Sequence, residues 1–267
     1  MQEVEVSKID FSAQKIVHQK DLIAEEAPLH IFLNQTHYVT VLCSPSQLRE
    51  LCIGHLLSEG VLKSINEIQE MRLGADGKCR IRLKQGIDAE KRISVSQPFS
   101  RLIVSACGSP DYWPISKLID RIDLPKAPLG LKVEARIIAE SVRRLNTLAQ
   151  TFRKTGGVHI AALFSAKGEL AAYAEDVGRH NAVDKVIGVG ALQKTDFKNC
   201  FLASSGRLSG DIVLKAARMQ IPIIASITAA ISSGVETAKR TGTTLIGFVR
   251  GKRMSIYAYP ERIIYEP

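Results

Sequence analysis

The stretch CFLASSGRLSGDIVLKAARMQIPIIAS, residues 200–226, contains a strand, a helix and a second strand in succession. Residues 200–203 and 222–226 are short apolar runs of the kind found in buried strands, and residues 209–219 place apolar side chains at helical spacing. Strands that alternate with helices of this length are typical of an α/β layered sheet. The stretch therefore predicts the centre of an α/β domain.

The same alternation extends on both sides of this unit and predicts an α/β domain over residues 131–267. Its other predicted elements are a helix at 133–154, strands at 158–164 and 170–175 joined by a turn at 166–168, helices at 181–192 and 232–241, and strands at 244–250 and 254–259.

The first part of the chain predicts a smaller α+β domain, which we place at residues 1–112. It begins with a weakly patterned stretch to about residue 26, followed by a predicted hairpin of strands 29–33 and 38–42 that turns at Asn34 and Gln35. A helix capped by Ser46 and ended by Gly60 comes next. Strands 71–73 and 79–83 around a turn at 74–77 complete the unit. Residues 94–130 are rich in proline, which predicts mostly loop. We place a linker at residues 113–130.

Composition excludes several classes of protein. The chain has 267 residues, of which 45% are apolar and 24% charged, as in globular proteins. Its longest apolar runs are shorter than the roughly 18–20 residues of a membrane span, and its start lacks the apolar region of a signal peptide. Five cysteines without a C-x-x-C pair argue against a disulfide framework and against zinc. We expect a reduced, cytoplasmic protein that interacts with no membrane.

The net charge of +9 is suited to an anionic ligand or to weak nucleic-acid binding. Single-stranded nucleic acid is usually bound by basic stripes with interleaved aromatic side chains. Aromatic residues make up only 6% of this chain and its basic residues are dispersed, so we expect no nucleic-acid partner.

Two polar segments flank predicted strands early in the second domain. Gly156 and Gly157 precede His159, and this arrangement predicts either a helix C-cap with a half-buried histidine or a close backbone approach to a ligand. Residues 175–185 carry the dense polar run EDVGRHNAVDK between a strand and a helix. His180 or Asn181 could open that helix and leave backbone N–H groups free for an anion. The alternative is a simple N-cap with exposed ion pairs.

Two further polar segments follow the later strands. Residues 204–211 combine small hydroxyls and glycine with Arg207, which favours a phosphate or carboxylate at the start of a helix; an ordinary loop with a serine cap is the alternative. The second comprises Phe248, Val249, Arg250, Gly251, Lys252 and Arg253. Its basic side chains could neutralise phosphates, or the turn could be a solvated hairpin tip.

Cys107 lies in a loop of small residues, SACGSP, whereas Cys43, Cys52, Cys79 and Cys200 fall on predicted strands or a helix. Those four are expected in the core. A cysteine in a loop is more accessible, and a reactive cysteine acts as its thiolate. Cys107 is therefore the candidate for a functional thiol.

Together these segments resemble the FdhD/NarQ family, the formate dehydrogenase accessory sulfurtransferases. The resemblance covers roughly residues 25–259. It rests on EAPL at 26–29, GHLLSEG at 54–60, TGGVH at 155–159, EDVGRHNAVDK at 175–185, SSGR at 204–207 and FVR at 248–250.

The resemblance implies a function for the chain. Such proteins receive persulfide sulfur from a cysteine desulfurase and pass it to the molybdenum bis(molybdopterin guanine dinucleotide) cofactor before that cofactor enters formate dehydrogenase. It further implies a homodimer, a cytidine-deaminase-like fold without zinc, and Cys107 as the sulfur-carrying residue. The family usually has Cys-Gly-x-Cys-Gly in this loop, but Pro110 stands here at the second cysteine. A single-cysteine relay remains open, and so does a chaperone that binds the cofactor without transferring sulfur.

The resemblance also places the cofactor most directly on the turn at residues 248–253. The cofactor carries two pyrophosphates, and a basic field with helix N-termini would match them. Our own inference adds that three side chains could contact guanine or pterin edges. The side chains that could contact the bases are those of Asp176, His180 and Asn181, and the basic field comes from Arg179, Arg207, Arg250 and Arg253. The full set of predicted binding residues is Phe248, Val249, Arg250, Gly251, Lys252, Arg253, Gly156, Gly157, His159, Asp176, Arg179, His180, Asn181, Ser205, Gly206 and Arg207.

Overall fold

A computed structural model describes residues 1–100 and 124–265, and for residues 95–100 it describes the backbone alone. Cys107, Pro110 and most of the predicted linker lie outside the described residues. The first unit contains strands β1 (Gln2–Asp10), β2 (Lys15–Ile23), β3 (Ala27–Leu33), β4 (Thr36–Cys43), β5 (Ile68–Leu73) and β6 (Lys78–Leu83), helices α1 (Leu48–Ser58) and α2 (Ala89–Ser100), and a 3₁₀ turn at Ile65–Glu67. Strands β1 and β2 form an antiparallel ribbon, and the other four form a sheet of order β4-β3-β6-β5.

The predicted hairpin of β3 and β4 is confirmed, and Asn34 and Gln35 make its turn with positive φ angles of 46° and 74°. Three expectations for this unit are wrong. The first 26 residues are not unpatterned, because they contain the β1–β2 ribbon. Residues 94–100 are not loop, because they continue helix α2. Helix α1 starts from Gln47, in a left-handed conformation without a side-chain cap, so Ser46 does not cap it.

The second unit contains strands β7 (Val133–Glu134), β8 (His159–Ser165), β9 (Leu170–Asp176), β10 (Cys200–Ser204), β11 (Ile223–Ser226), β12 (Thr244–Arg250), β13 (Arg253–Ala258) and β14 (Ile263–Ile264), helices α3 (Ala135–Leu148), α4 (Gln150–Thr155), α5 (Arg179–Leu192), α6 (Gly210–Arg218) and α7 (Ser232–Thr241), and 3₁₀ turns at Phe197–Asn199 and Pro260–Arg262. Six strands form a sheet of order β13-β12-β11-β10-β8-β9, in which β10, β11 and β12 are parallel and the other pairs antiparallel. This is a mixed α/β fold, as expected.

The predicted continuous helix at 133–154 is wrong, because β7 occupies its start and Ala149 interrupts it with a non-helical ψ of 71°. The cause lies on strand β9. The Glu175 carboxylate accepts hydrogen bonds of 2.9 Å from both the Thr151 and Phe152 backbone N–H groups. A carboxylate at these free N–H groups stabilises a new helix start, and α4 begins there.

Helices α1 and α5 join the two units through one continuous apolar core. Leu51 and Leu56 of α1 belong to the same buried cluster as Val183 and Ile187 of α5. The helices cross at a glycine contact, since a Cβ atom on Gly54 would lie 1.7 Å from the Asp184 carbonyl oxygen. The two predicted domains thus share a core, and the boundaries at 112 and 130 stay a prediction. No described helix is long and apolar enough to cross a membrane.

Candidate functional site

Four of the predicted polar segments meet at one edge of the six-stranded sheet. Strands β9, β10, β11 and β12 run in the same direction, so their carboxyl ends lie at this edge, where β8 and β13 begin. His159 pairs with Asp176 across β8 and β9, and Arg250 pairs with Arg253 across β12 and β13. Carboxyl ends of parallel strands are where open α/β sheets bind their ligands.

The centre of this edge holds a cluster of basic side chains around Ser205. The Ser205 hydroxyl lies 3.2 Å from His159 Nδ1 and accepts a 3.0 Å hydrogen bond from the Ile160 N–H. Burial lowers the pKa of His159, and the nearby Arg179 and Arg207 charges lower it further. Burial, followed by Arg207, also lowers the pKa of Arg179. Like charges held this close favour the binding of an anion between them.

Glycines and helix termini complete this cluster. A Cβ atom on Gly206 would lie 2.8 Å from Arg179 Cβ, so only glycine lets the arginine approach the loop this closely. Helix α5 starts at Arg179 from the N-cap Gly178, and α6 starts at Gly210 from the N-cap Ser209, neither with a side-chain cap. Neither His180 nor Asn181 opens α5. The N-terminus of α5 carries partial positive charge and adds to the field of the arginines. At α6 the Gly210 N–H donates to the Ser233 hydroxyl, and Asp211 lies in the first turn.

The turn at residues 248–253 lies two strands further along the same edge. Phe248 and Gly251 have positive φ angles of 52° and 57°. The Arg250 guanidinium lies over the Phe248 ring at 5.5 Å, and its Nε donates a 3.0 Å hydrogen bond to the Ile227 carbonyl. Val249 is buried, so within this turn the exposed basic side chains are those of Arg250, Lys252 and Arg253.

The structure places Asp176 inside the protein. Its side chain is fully buried, its Oδ1 accepts from Gly178 N–H at 2.8 Å and from Asn181 Nδ2 at 2.9 Å, and Oδ2 lies 2.6 Å from Lys185 Nζ. Asn181 Nδ2 also donates to the Leu42 carbonyl at 2.8 Å. Asp176 therefore fixes the loop before α5, and the Asn181 amide nitrogen is occupied internally.

The predicted glycines before β8 have structural partners too. Gly156 ends helix α4 in the left-handed region, with φ 65° and a 2.7 Å hydrogen bond from its N–H to the Phe152 carbonyl. A Cβ atom on Gly157 would lie 2.8 Å from Ala24 Cβ, so Gly157 permits the contact with the end of the ribbon. Gly156 thus matches the helix C-cap alternative.

Sequence reasoning missed a buried ion network that connects α1, α5 and α6. Lys215 Nζ lies 2.6 Å from Glu59 Oε1 and 2.9 Å from Asp184 Oδ1. Asp184 also accepts from the Ser58 hydroxyl at 2.6 Å and contacts His55 Nδ1 at 2.9 Å. Burial alone would raise the pKa of Asp184, but the Lys215 charge and the His55 hydrogen bond outweigh burial and lower it. Burial alone would likewise raise the pKa of Glu59, but the Lys215 charge outweighs burial and lowers it.

A weak signal for this network was present in the sequence. His55, Glu59 and Asp184 lie within segments that support the family resemblance, but no role followed from them. Lys215 gave no signal, because a lysine on an amphipathic helix is normally solvent-exposed.

The four described cysteines are buried, as expected. Cys43, Cys52 and Cys79 are fully buried and Cys200 is 5% exposed. Burial raises the pKa of Cys43 to about 11 and raises that of Cys200. A Cys52–Cys79 hydrogen bond raises the pKa of Cys52 and lowers that of Cys79. Without surface access none of the four can exchange sulfur with another protein. Among residues 1–100 and 124–265 no group of three or more His, Cys, Asp or Glu side chains could hold a metal.

Fold and site together define a mixed α/β protein with a basic, helix-flanked sheet edge suited to an anionic ligand. The model of the FdhD/NarQ family matches residues 24–264. The chain belongs to the FdhD/NarQ family, so the resemblance inferred from the motifs is confirmed.

Relatives with assigned names agree with this family assignment. The chain is 35% identical over 264 residues to "Sulfur carrier protein FdhD" of Sulfolobus acidocaldarius, with 98% of each chain covered. It is 38% identical over 253 residues to the protein of that name in Thermoplasma acidophilum, covering 91% of this chain and 87% of the relative. A crystal structure assigned as a formate dehydrogenase accessory protein from Desulfotalea psychrophila matches with a TM-score of 0.78 and 28% identity, covering 98% of this chain and 99% of that one.

Proposed function

We propose that this chain is a sulfur carrier that takes persulfide sulfur from a cysteine desulfurase on Cys107 and passes it to a molybdenum bis(molybdopterin guanine dinucleotide) cofactor. The cofactor then enters formate dehydrogenase. Family membership supports this role, as do the relatives named sulfur carrier protein and the structural neighbour assigned as a formate dehydrogenase accessory protein.

The observation that carries the proposal is the convergence of basic groups at the sheet edge. His159, Arg179 and Arg207 surround the loop after β10, and two helix N-termini face the same edge. The cofactor carries two pyrophosphates, which such a field would hold through charge-assisted hydrogen bonds. Arg250, Lys252 and Arg253 would contact the second half of the same elongated ligand.

Cys107 is the proposed carrier because the other four cysteines are buried. Its thiolate would attack the outer sulfur of the desulfurase persulfide, forming a new S–S bond while the desulfurase cysteine leaves as its thiolate. Pro110 replaces the second cysteine of the usual family loop, so no neighbouring thiol can convert the Cys107 persulfide into a local disulfide.

A second function is favoured by that same replacement at Pro110. Loss of the second cysteine would also suit a chaperone that binds the cofactor, or a guanine nucleotide, without transferring sulfur. Both functions require the basic edge, and only the first requires Cys107.

Intact mass spectrometry after incubation with a cysteine desulfurase and cysteine decides between these functions. We expect a mass increase of one sulfur atom in the wild-type chain and in Cys200→Ala, and none in Cys107→Ala. A wild-type chain that gains no sulfur but still binds GDP would establish the chaperone function. In a strain lacking its own accessory protein, full restoration of formate dehydrogenase activity by Cys107→Ala would contradict the carrier role.

Three further expectations belong to this proposal. We propose that the second unit is layered like a cytidine deaminase but binds no zinc, that the chain works as a homodimer, and that it resides in the cytoplasm. The parallel strands β10, β11 and β12 with their connecting helices support the first. Reduced cysteines support the last.

A further inference from the structure

A cavity of about 270 Å³ lies between strand β4 and helices α1, α5 and α6. Val39, Val41 and Leu214 give it an apolar wall. Half of the lining residues are ionisable, because all three helices direct such side chains at this cavity, about one helical turn apart. These side chains are His55 and Glu59 from the end of α1, His180 and Asp184 from α5, and Asp211, Lys215 and Arg218 from α6.

His55 is held so that one ring nitrogen is available in this cavity. Its Nδ1 lies 2.9 Å from Asp184 Oδ2, and the side chains of the pair are 10% and 2% exposed. Asp184 is an ionised acceptor beside Lys215, so Nδ1 carries a proton, and in the neutral ring Nε2 is the acceptor. Within the described part of the chain, Nε2 makes no hydrogen bond. Asp184 thus fixes both the ring orientation and the tautomer.

A second imidazole faces the same space. His180 Nε2 is withdrawn from solvent and has no hydrogen-bond partner among the residues that the structure describes. Asp211 Oδ2 lies 3.4 Å from it without hydrogen-bond geometry. Buried polar atoms normally have partners, so this nitrogen is available to a ligand in the cavity.

The charges around His55 set the kind of ligand. Three carboxylates and two cations line the cavity, so with neutral imidazoles it holds one excess negative charge. Tyr38 packs near the His55 ring, with 6.0 Å between ring centroids, and burial raises its pKa so that it stays neutral. An anion would be repelled unless a proton enters with it.

We propose that this cavity binds a small monobasic acid HX as its anion, with the acid's proton transferred to His55 Nε2. The H–X bond breaks, an N–H bond forms, and the imidazolium then neutralises X⁻. Asp184 is the positioning residue. The inference is independent of the proposed sulfur transfer, because it uses neither Cys107 nor the arginines of the basic edge.

The size and wall of the cavity restrict X⁻ further. An anion that enters beside apolar side chains must lose most of its hydration, which is costly for strongly hydrated or doubly charged ions. Hydrosulfide and short carboxylates share the required chemistry of a single, neutralisable charge. They are therefore the two probes to compare.

The test is an NMR titration of the histidine ring nitrogens with sodium hydrosulfide and, separately, with sodium acetate. We expect at least one probe to move the His55 Nε2 resonance saturably to its protonated range, while that of the exposed His18 stays unchanged. Calorimetry in buffers of different ionisation enthalpy should show proton uptake with the anion. His55→Gln should weaken binding at least about tenfold, as loss of a hydrogen bond to a charged group does, and His18→Gln should not.

The outcomes separate clearly. A response to hydrosulfide alone assigns a thiol-type ligand, and a response to acetate alone assigns a carboxylate. If neither probe moves the His55 resonance, or if His55→Gln binds them unchanged, the proposal is overturned. The wild-type titration remains decisive should His55→Gln fail to fold.

Discussion

Gly188 of helix α5 lies in direct backbone contact with Glu50 of helix α1, since a Cβ atom built on Gly188 would stand 1.9 Å from the Glu50 carbonyl oxygen. The reciprocal contact of Gly54 with Asp184 lies in the same crossing. Neither contact can be relieved by a side-chain rotation, because the opposing atoms belong to the backbone. The two units are therefore joined at the closest distance that helices allow.

Replacing Gly188 by alanine should separate these helices and destabilise the protein. Overpacking of a core typically costs about 1–3 kcal/mol, and a backbone clash places this variant at or above the upper end. Urea unfolding would measure the loss. Gly130→Ala is the matched control, because a Cβ atom there meets nothing within 4 Å. Equal stability of the two variants would contradict this account of the crossing.

Removal of the Lys215 charge should be strongly destabilising. Lys215→Met leaves Glu59 and Asp184 buried without their cation, and breaking a buried ion pair from one side costs about 3–5 kcal/mol. The free energy of unfolding at neutral pH is the measurement. Lys239→Met, an exposed lysine on helix α7, should change it by no more than about 0.5 kcal/mol.

The same network predicts how stability depends on pH. The folded protein lowers the pKa values of Asp184 and Glu59 below their ordinary values of 3.8 and 4.5. Their contribution is therefore fully present above the ordinary values and is lost as pH falls through the folded ones. Lys215→Met removes the charge that contributes most to the lowering, while the contact of His55 with Asp184 remains. The stability difference between wild type and this variant should shrink as the pH drops below about 4, and a constant difference would contradict the prediction.

At the basic edge, Arg207→Ala should weaken the binding of GDP. Loss of a hydrogen bond to a charged group costs about 1.5–3 kcal/mol, which corresponds to roughly 10- to 100-fold in dissociation constant. Titration calorimetry would measure it, with Arg143→Ala on the exposed side of helix α3 as the control. Similar affinities of the two variants would place the anion elsewhere.

His159 should make that binding pH-dependent. In the free protein burial, Arg179 and Arg207 lower its pKa, and a bound phosphate would raise it again by favouring the charged ring. Binding therefore takes up a proton, and affinity should increase as the pH falls toward the ordinary pKa of histidine. The NMR shift of the His159 ring with and without GDP tests this, and His159→Gln should abolish the pH dependence.

Much of the second unit could be predicted from periodicity. Helix α7 and strand β12 have the expected bounds, because buried side chains set the period of the sequence. The β1–β2 ribbon has no such signal, since Ile9, Phe11 and Ile16 are largely exposed and no core selects one face. The break at Ala149 depends on Glu175, which is distant in sequence.

The candidate site, too, could be predicted from the sequence only in part. The basic edge was predictable, because polar residues that follow parallel strands meet at one edge whatever the details of packing. The network around Asp184 was not, because Lys215 pairs with Glu59, which lies 156 positions away in the sequence. The inward placement of Asp176 likewise depends on the Ser44 N–H, 132 positions away, which donates to its carboxylate.

The network around Lys215 also limits how the family can exchange parts. His55, Ser58 and Glu59 come from the first unit, and Asp184, Lys215 and Arg218 from the second. Consider a chimera that joins the first unit of this chain to the second unit of a relative. Its two halves would have to supply the same charged side chains and the same glycines where the two units contact each other. We therefore expect such a chimera to fold stably only where both sides of the contact between the units come from the same protein.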